Sequence, residues 1–385
     1  MQWLTSRTKG DMLIWMIILI LSLFSLLAVY SSTGTLAYRY HAGNTEYYLF
    51  KHLMLLAFGL GVVYLAHRVN YKYYSRISQV LLWASVPLLL LTLFLGTEIN
   101  DAKRWLTLPG INLTFQTSDL GKLALIMFIA RMLSKKQDMI KSFSKAYLPI
   151  MGAVLLVCAC IAPADLSTAM LLFLTCLILM FIGRMDVRHL LLAPAAGIIV
   201  LCIYIGIATA TGSTGRIETW QSRVESFWND DLGSYQNQQA KIAMATGGIF
   251  GKGPGNSTQR NFLPNPFSDF IFAIIIEEYG LLGGFFLILL YLLLLYRSIA
   301  LVIKSPRAFG ALLGVGLAFS LVIQAMVNMA VNVHLFPVTG LTLPLVSMGG
   351  TSLWFTSLSL GIILSVSRDI EINEELEQNE KMAIA

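Results

Sequence analysis

Apolar runs, most near the length of one membrane crossing, alternate along this chain with short polar segments. A crossing helix needs about 17–25 mostly apolar residues. Ten stretches read as such helices: 12–30, 48–66, 80–96, 120–133, 147–162, 167–183, 190–210, 268–296, 309–331 and 346–366. The fourth is short, so the residues before it are expected to extend it. The eighth is long for one crossing, about 43 Å at 1.5 Å per residue, and Gly280, Gly283 and Gly284 could bend it. The pattern predicts an all-α polytopic membrane protein. It would have one membrane domain over 1–366, a large loop over 211–267 between the seventh and eighth helices, and a short acidic tail over 367–385. The first run is longer than the roughly 7–15 residues of a signal-peptide core and reads as a retained helix.

Composition agrees with this reading. The chain is 56% hydrophobic and 12% charged, with a mean hydropathy of +0.71, whereas soluble domains carry about 25% charged residues. The net charge of +6 does not indicate nucleic acid, because its source is topological. Seventeen of the 27 Lys and Arg fall in segments that share a side with the N-terminus, and four fall in the short loops opposite. The rest are Lys122, inside a helix, and five in the long loop. This bias puts both termini in the cytoplasm. The polar regions 100–119, 211–269 and 332–347 then lie outside, away from ATP and nucleotide sugars. The acidic tail, 369–380, is expected to be a mobile cytoplasmic extension. Cys158, Cys160, Cys176 and Cys202 all lie in apolar runs and form neither a disulfide framework nor a metal-ligand pattern.

Polar chemistry concentrates in 247–269, GGIFGKGPGNSTQRNFLPNPFSD. Pro264 and Pro266 are expected to hold the chain extended. Ser268 would cap the next helix and place Asp269 in its first turn. There the helix dipole favours the ionised carboxylate and partial burial opposes it. Asp269 is therefore a candidate base at the membrane surface; the plainer alternative is a helix-start acid. Glu277 and Glu278 follow about 12 Å farther along the axis, turned about 80° and 180° from Asp269. They are poor partners for a two-carboxylate mechanism. A carboxylate within the membrane costs about 2.5–3.5 kcal/mol and should find a cation. Lys122 is the best intramembrane candidate, and Asp119, three residues earlier, could share it. Arg104 suits phosphate and Trp105 the headgroup level, although both also suit a simple interfacial anchor. The glycines around Lys252 match neither phosphate-loop pattern, since Gly253 follows Lys252 and Asn256 stands where a third glycine is needed.

These residues resemble the SEDS family (shape, elongation, division and sporulation) of bacterial cell-wall polymerases, which includes FtsW, RodA and SpoVE. Three blocks carry the resemblance, which spans about 12–368. The first is Lys103-Arg104-Trp105 with Gln116, Ser118, Asp119 and Lys122. The second runs from Gln236 and Gln239 through Gly253, Gly255, Ser257, Gln259 and Pro264 to Asp269, Glu277 and Glu278. The third is FPVTGLTLPLVSMGGTS, 336–352, with Ser347, Gly349 and Gly350. The resemblance implies a glycosyltransferase that polymerises lipid II at the outer face of the bacterial plasma membrane. Asp269 would be the general base, deprotonating the acceptor's GlcNAc 4-hydroxyl as it attacks the donor's MurNAc C1 with inversion. Arg104 or a divalent cation, Mg²⁺ or Mn²⁺, would meet the leaving pyrophosphate, and the other block residues would bind substrate or support the site. A class B penicillin-binding transpeptidase and other division proteins would be partners, alongside membrane lipid and no nucleic acid. Thr117, Asp119, Thr339 and Met348 depart from the family's usual proline, glutamate, lysine and tyrosine. GPGNS at 253–257 is nearer FtsW, which acts in division at the septum. PVTG at 337–340 is nearer RodA, which acts in elongation. Two other readings stand beside the polymerase: a lipid II flippase, which Lys122, Glu277 and Glu278 would suit, and a non-catalytic scaffold that recruits the transpeptidase.

Overall fold

The computed structural model describes residues 9–40, 43–99, 102–108, 113–210, 215–228 and 235–384. Parts of the polar regions singled out above, 100–101, 109–112, 211–214 and 229–234, lie outside the described residues, as does Ala385. The chain opens with α1 (Met12–Ser32), a short α2 (Gly34–Tyr40), α3 (Thr45–Arg68) and α4 (Tyr71–Leu95). Three short strands follow: β1 (Thr97–Ile99), β2 (Ala102–Leu108) and β3 (Leu113–Gln116). They form an antiparallel sheet in the order β1-β2-β3, with Trp105 opposite Gln116. Next come α5 (Thr117–Lys135), α6 (Leu148–Ile161), α7 (Leu166–Ile182), α8 (Val187–Leu190) and α9 (Ala193–Ala210). Then α10 (Gly215–Trp228) and α11 (Tyr235–Gly247) precede α12 (Ile271–Lys304), α13 (Ala308–Asn332) and α14 (Thr351–Ile384).

Each predicted apolar stretch coincides with a helix, and the molecule is an all-α polytopic membrane protein with one small sheet attached. Among the described residues, eight helical segments are long and apolar enough to cross a membrane. The two remaining stretches are α7, apolar but of 17 residues, and α5, which carries Asp119, Lys122, Arg131 and Lys135. α4 starts well before the predicted 80 because Asn70 caps it, accepting from the Lys72 N–H at 3.1 Å. α14 starts after the predicted 346 because Leu345 and Gly350 adopt positive φ, 66° and 53°, which no helix continues through. The sheet and the helices α10 and α11 occupy regions predicted to be loop. α11 packs along the start of α12, with Ala240 and Ala243 against Phe270, Ala273 and Ile274.

α5 and α13 sit at the centre, and α13 is buried along nearly its whole length. α9 is peripheral: only Ala193 and Ala208 are buried. Leu, Ile and Phe side chains face outward on α1, α3, α4, α9 and α12, as a bilayer-embedded surface requires. Hydroxyls within the helices return to the carbonyl one turn back, as Ser22 does to Ile18 and Ser298 to Leu294, both at 2.8 Å. That satisfies them without water. One end of the bundle is tied by ion pairs, Asp11 to Arg297 at 2.5 Å and Lys304 to Glu374 at 3.1 Å. The expected mobile tail is instead the continuation of α14. Its Glu375 pairs with Lys9 at 2.5 Å, and its Glu371 accepts from the Gly10 N–H. The opposite end holds the sheet, α10, α11 and the segments 248–270 and 333–350.

Candidate active site

The stretch 247–269 is built into an interrupted α12. Gly280 breaks that helix with φ 70° and ψ −173°. A Cβ placed on Gly284 would lie 3.1 Å from Ile276 Cγ1 and 3.4 Å from Phe272 Cζ. A straight helix would hold those residues about 12 and 18 Å away along its axis, so the first turns of α12 fold back against the rest. The backbone groups freed by the break are taken up by the preceding loop. Leu281 and Leu282 donate to the carbonyls of Gly248 and Ile249 at 2.9 and 3.3 Å. Lys252 and Gly253 donate to the carbonyls of Glu277 and Glu278 at 3.0 and 2.9 Å. Irregular backbone survives in such a protein only when its groups are satisfied internally.

The same splice assigns the two glutamates. Glu277, expected to seek Lys122, instead pairs with Lys252 at 2.6 Å. It also accepts from Ser257 Oγ at 2.5 Å, from the Thr258 N–H and Oγ1 at 3.1 and 2.9 Å, and from the Gln259 N–H at 3.2 Å. Glu278 accepts from Ser31 Oγ and from the Ser257 N–H at 3.3 Å. Sequence periodicity puts both deeper in the membrane than Asp269, but the fold-back cancels that depth. Glu278 meets Ser31 in the last turn of α1. Val346, adjacent to the Ser347 that holds Ser268, accepts from Ser25, about 9 Å farther in along α1.

Asp269 itself precedes the helix rather than lying in its first turn, and Ser268 does not cap it. The Ala273 N–H is taken instead by Asn332 Oδ1 at 3.1 Å. Pro266 occupies the second position of a turn closed by the Ser268 N–H and the Asn265 carbonyl at 3.2 Å. The chain therefore bends where extension was expected, because Pro's fixed φ suits that turn position. The backbone on each side of Asp269 is held. Asn328 and Asn332 Nδ2 both donate to the Asp269 carbonyl at 2.9 Å. Ser347 Oγ donates to the Ser268 carbonyl at 2.6 Å, and the Met348 N–H to the Phe267 carbonyl at 2.9 Å. Burial raises the Asp269 carboxyl group to about 6, against the opposing pull of its own N–H and of Arg223 and Arg104.

Arg104 Nε donates to the Ala164 carbonyl at 2.9 Å, and its Nη1 pairs with Asp165 at 3.1 Å. Asp165 is fixed in turn as the cap of α7, accepting from the Thr168 N–H at 3.1 Å. Arg223, on α10, was not singled out from the sequence, where it is one of five cations in a long polar stretch. Its Nη1 donates to the Val338 carbonyl at 3.3 Å. Burial, then Arg104, lower its pKa, and Asp165 and Asp269 raise it. A half-buried carboxyl group raised to about 6 thus lies within electrostatic reach of two guanidinium groups.

The other candidates divide between supporting roles. Lys122 pairs with Asp119 at 2.7 Å, as expected, and donates to Gln324 Oε1 at 3.2 Å. Gln116 donates through Nε2 to Ser118 Oγ at 3.1 Å and through its N–H to Thr351 Oγ1 at 3.3 Å, joining the starts of α5 and α14. Trp105 is half-buried on β2, and Gln236 and Gln239 are half-buried on α11. Gly253 and Gly255 turn the spliced loop with φ 92° and 79°. Gln259 is buried in that loop, and Pro264 is exposed. Gly349 and Gly350 lead into α14. Among the described residues, no group of three or more His, Cys, Asp or Glu is arranged to hold a metal. Asp165 is engaged by Arg104, and Asp269 feels two cations. These residues form no all-protein cage for Mg²⁺ or Mn²⁺; a Mg²⁺ ion is more often held through one or two carboxylates together with substrate phosphates.

A family model described as cell cycle protein, covering FtsW, RodA and SpoVE, matches residues 11–372. Stage V sporulation protein E of Bacillus subtilis (strain 168) is 34% identical over 377 residues, spanning 94% of this chain and 98% of its own length. A probable peptidoglycan glycosyltransferase FtsW of Geobacter sp. (strain M18) is 33% identical over 381 residues, with the same coverage. Among solved structures, the rod shape determining protein RodA of Thermus thermophilus matches with a TM-score of 0.67 at 27% identity, covering 94% of this chain and 97% of its own. A chain of a peptidoglycan synthase complex that coordinates polymerization and crosslinking matches with a TM-score of 0.68 at 29% identity, covering 94% and 98%.

Proposed function

The chain belongs to the FtsW/RodA/SpoVE family, and from that premise we propose that it is a peptidoglycan glycosyltransferase that joins lipid II units into glycan strands, with Asp269 as the general base. The Asp269 carboxylate takes the proton of the acceptor's GlcNAc 4-hydroxyl. That oxygen forms a bond to C1 of the donor's MurNAc on the face opposite the leaving group. The C1–O bond to the diphosphate breaks, and the undecaprenyl diphosphate departs with the electron pair, so the anomeric centre inverts. A carboxyl group near 6 is ionised at neutral pH and still basic enough to share the proton in the transition state. Arg104 and Arg223 stabilise the charge that develops on the diphosphate. Such a leaving group needs no general acid, which agrees with Glu277 and Glu278 being committed to the spliced loop.

The observation that carries this reading is the half-buried Asp269 carboxyl group, raised to about 6 and near Arg104 and Arg223, while the neighbouring Asp165 is already paired with Arg104. The site would face outward from the bacterial inner membrane with both termini in the cytoplasm, where the basic residues collect. A class B transpeptidase is the proposed partner; the similarity to a chain of a polymerising and crosslinking complex supports it. The FtsW-like GPGNS segment favours a role in division, at the septum and with other division proteins, over one in elongation. The test is polymer synthesis from lipid II by the purified protein with its transpeptidase, with products sized on a gel. Asp269→Asn should fold, bind its partner and make no polymer. Polymer at the native rate from that variant would remove Asp269 as the base. Absence of polymer from the native protein would favour a flippase or a scaffold, which a liposome translocation assay separates.

A further inference from the structure

α13 carries Gln324, Asn328 and Asn332 at four-residue spacing along an otherwise largely apolar helix. That spacing stacks side chains on one face. All three are buried, at 5%, 1% and 1% exposure. Amides shielded from water this completely are costly unless hydrogen-bonded. Each one donates to a carbonyl of irregular chain outside α13. Gln324 Nε2 reaches the Thr342 carbonyl at 2.9 Å. Asn328 Nδ2 reaches the carbonyls of Leu341 and Asp269 at 2.6 and 2.9 Å. Asn332 Nδ2 reaches the Asp269 carbonyl at 2.9 Å, while its Oδ1 accepts from the Ala273 N–H at 3.1 Å. The lowest rung is anchored from α5, since Lys122, paired with Asp119, donates to Gln324.

The two segments held in this way are the ones that carry the charges of the site. One is the turn bearing Asp269. The other is the loop 338–343, whose Val338 carbonyl accepts from Arg223 and whose Gly340, given a Cβ, would lie 3.9 Å from Arg104 Nη1. Neither segment belongs to a helix or a sheet, and the carbonyls of Asp269, Leu341 and Thr342 are taken by these side-chain donors. We infer that Gln324, Asn328 and Asn332 form a positioning ladder, which sets the Asp269 carboxylate at its working distance from Arg104 and Arg223. The inference rests on Asp269 being the base. The charged groups facing Asp269 are Arg223 from α10 and Arg104 from β2, with Asp165 behind Arg104 at the start of α7.

The test uses the full-length protein with its transpeptidase, and lipid II as substrate, with initial rates measured across lipid II concentration and pH. Asn328→Leu and Asn332→Leu keep the branching and heavy-atom count of the side chain, with a larger volume, and remove the donors. Each should lower kcat about 10–100-fold, the scale of a 1 Å misplacement, with KM within about twofold. The acid limb should move downward as the carboxyl group becomes less enclosed. Asn332→Asp, a second variant that keeps the acceptor for Ala273, should move the acid limb upward through like charge. Activity lost only in proportion to folded protein, with the acid limb unmoved, would overturn the ladder. Hydrogen exchange judges it independently of activity. Amides in 267–275 should exchange faster in both Leu variants while α1 stays protected, and unchanged exchange there would count against the ladder. An active Asp269→Asn control would instead discredit the base, leaving the exchange result to decide the ladder.

Discussion

The Asp269 carboxyl group is pulled in two directions. Burial favours the neutral acid; Arg223 and Arg104 favour the carboxylate, and burial wins, holding the group at about 6. Polymerisation should therefore fall on the acid side with a midpoint near pH 6, as seen in a pH–rate profile. The same shift governs stability. A carboxyl group whose pKa is higher folded than unfolded stabilises the fold fully only below its unfolded value, near 4. That contribution fades as pH rises through about 6. Above that, ionised Asp269 weighs against the fold. Asp269→Asn should thus be more resistant to heat than the native protein at pH 8, by about 1–3 kcal/mol. The gap should close toward pH 4 in thermal unfolding in detergent, and a gap independent of pH would contradict the account. Asp269 was legible from the sequence as a polar position at the edge of an apolar run. Its surroundings were not, because Arg223 and the α13 amides approach from distant parts of the chain.

At the scale of the element, the break in α12 decides where the site residues go. Three glycines marked that helix as bendable. The break falls at Gly280 because the loop at 248–253 supplies the hydrogen bonds the helix gives up there, and because glycine lets two backbones touch. A Cβ on Gly251 would lie 2.2 Å from the Glu278 oxygen, and one on Gly280 would lie 2.1 Å from the Ile249 oxygen. Gly251→Ala and Gly280→Ala should therefore abolish the splice, seen as loss of the monodisperse peak in size-exclusion chromatography. Gly248→Ala is the comparison. Its φ is +57° but no atom lies within 4 Å of the added Cβ. It should lower stability by only about 1–2 kcal/mol, the cost of a left-handed residue, and leave the peak intact. Lys252 as the partner of Glu277 belongs to the same splice. The sequence favoured Lys122 because it, too, lies in an apolar run, but an ion pair forms with whichever cation the fold brings within reach.

For the whole molecule, the asymmetry of Lys and Arg predicts which end faces the cytoplasm. With the four cysteines replaced, Ser222→Cys on α10 should react with an impermeant maleimide in intact spheroplasts, and Glu377→Cys on α14 only after permeabilisation. The reverse pattern would invert the proposed orientation and place the site on the wrong side for lipid II polymerisation. Membrane class, the approximate positions of the apolar helices and the family were available from the sequence alone, and the charge bias predicts a sidedness. Hydropathy and charge are sums over neighbouring residues, and the motif blocks are contiguous. The tertiary structure alone decided the reversal of α12, the partner of Glu277, the pairing of Arg104 with Asp165, the place of Arg223 and the grip of α13 on the Asp269 carbonyl. Each of these is a contact between segments far apart in the chain. A polar residue in an apolar run announces that it needs a partner, but only the packed bundle determines which one it meets.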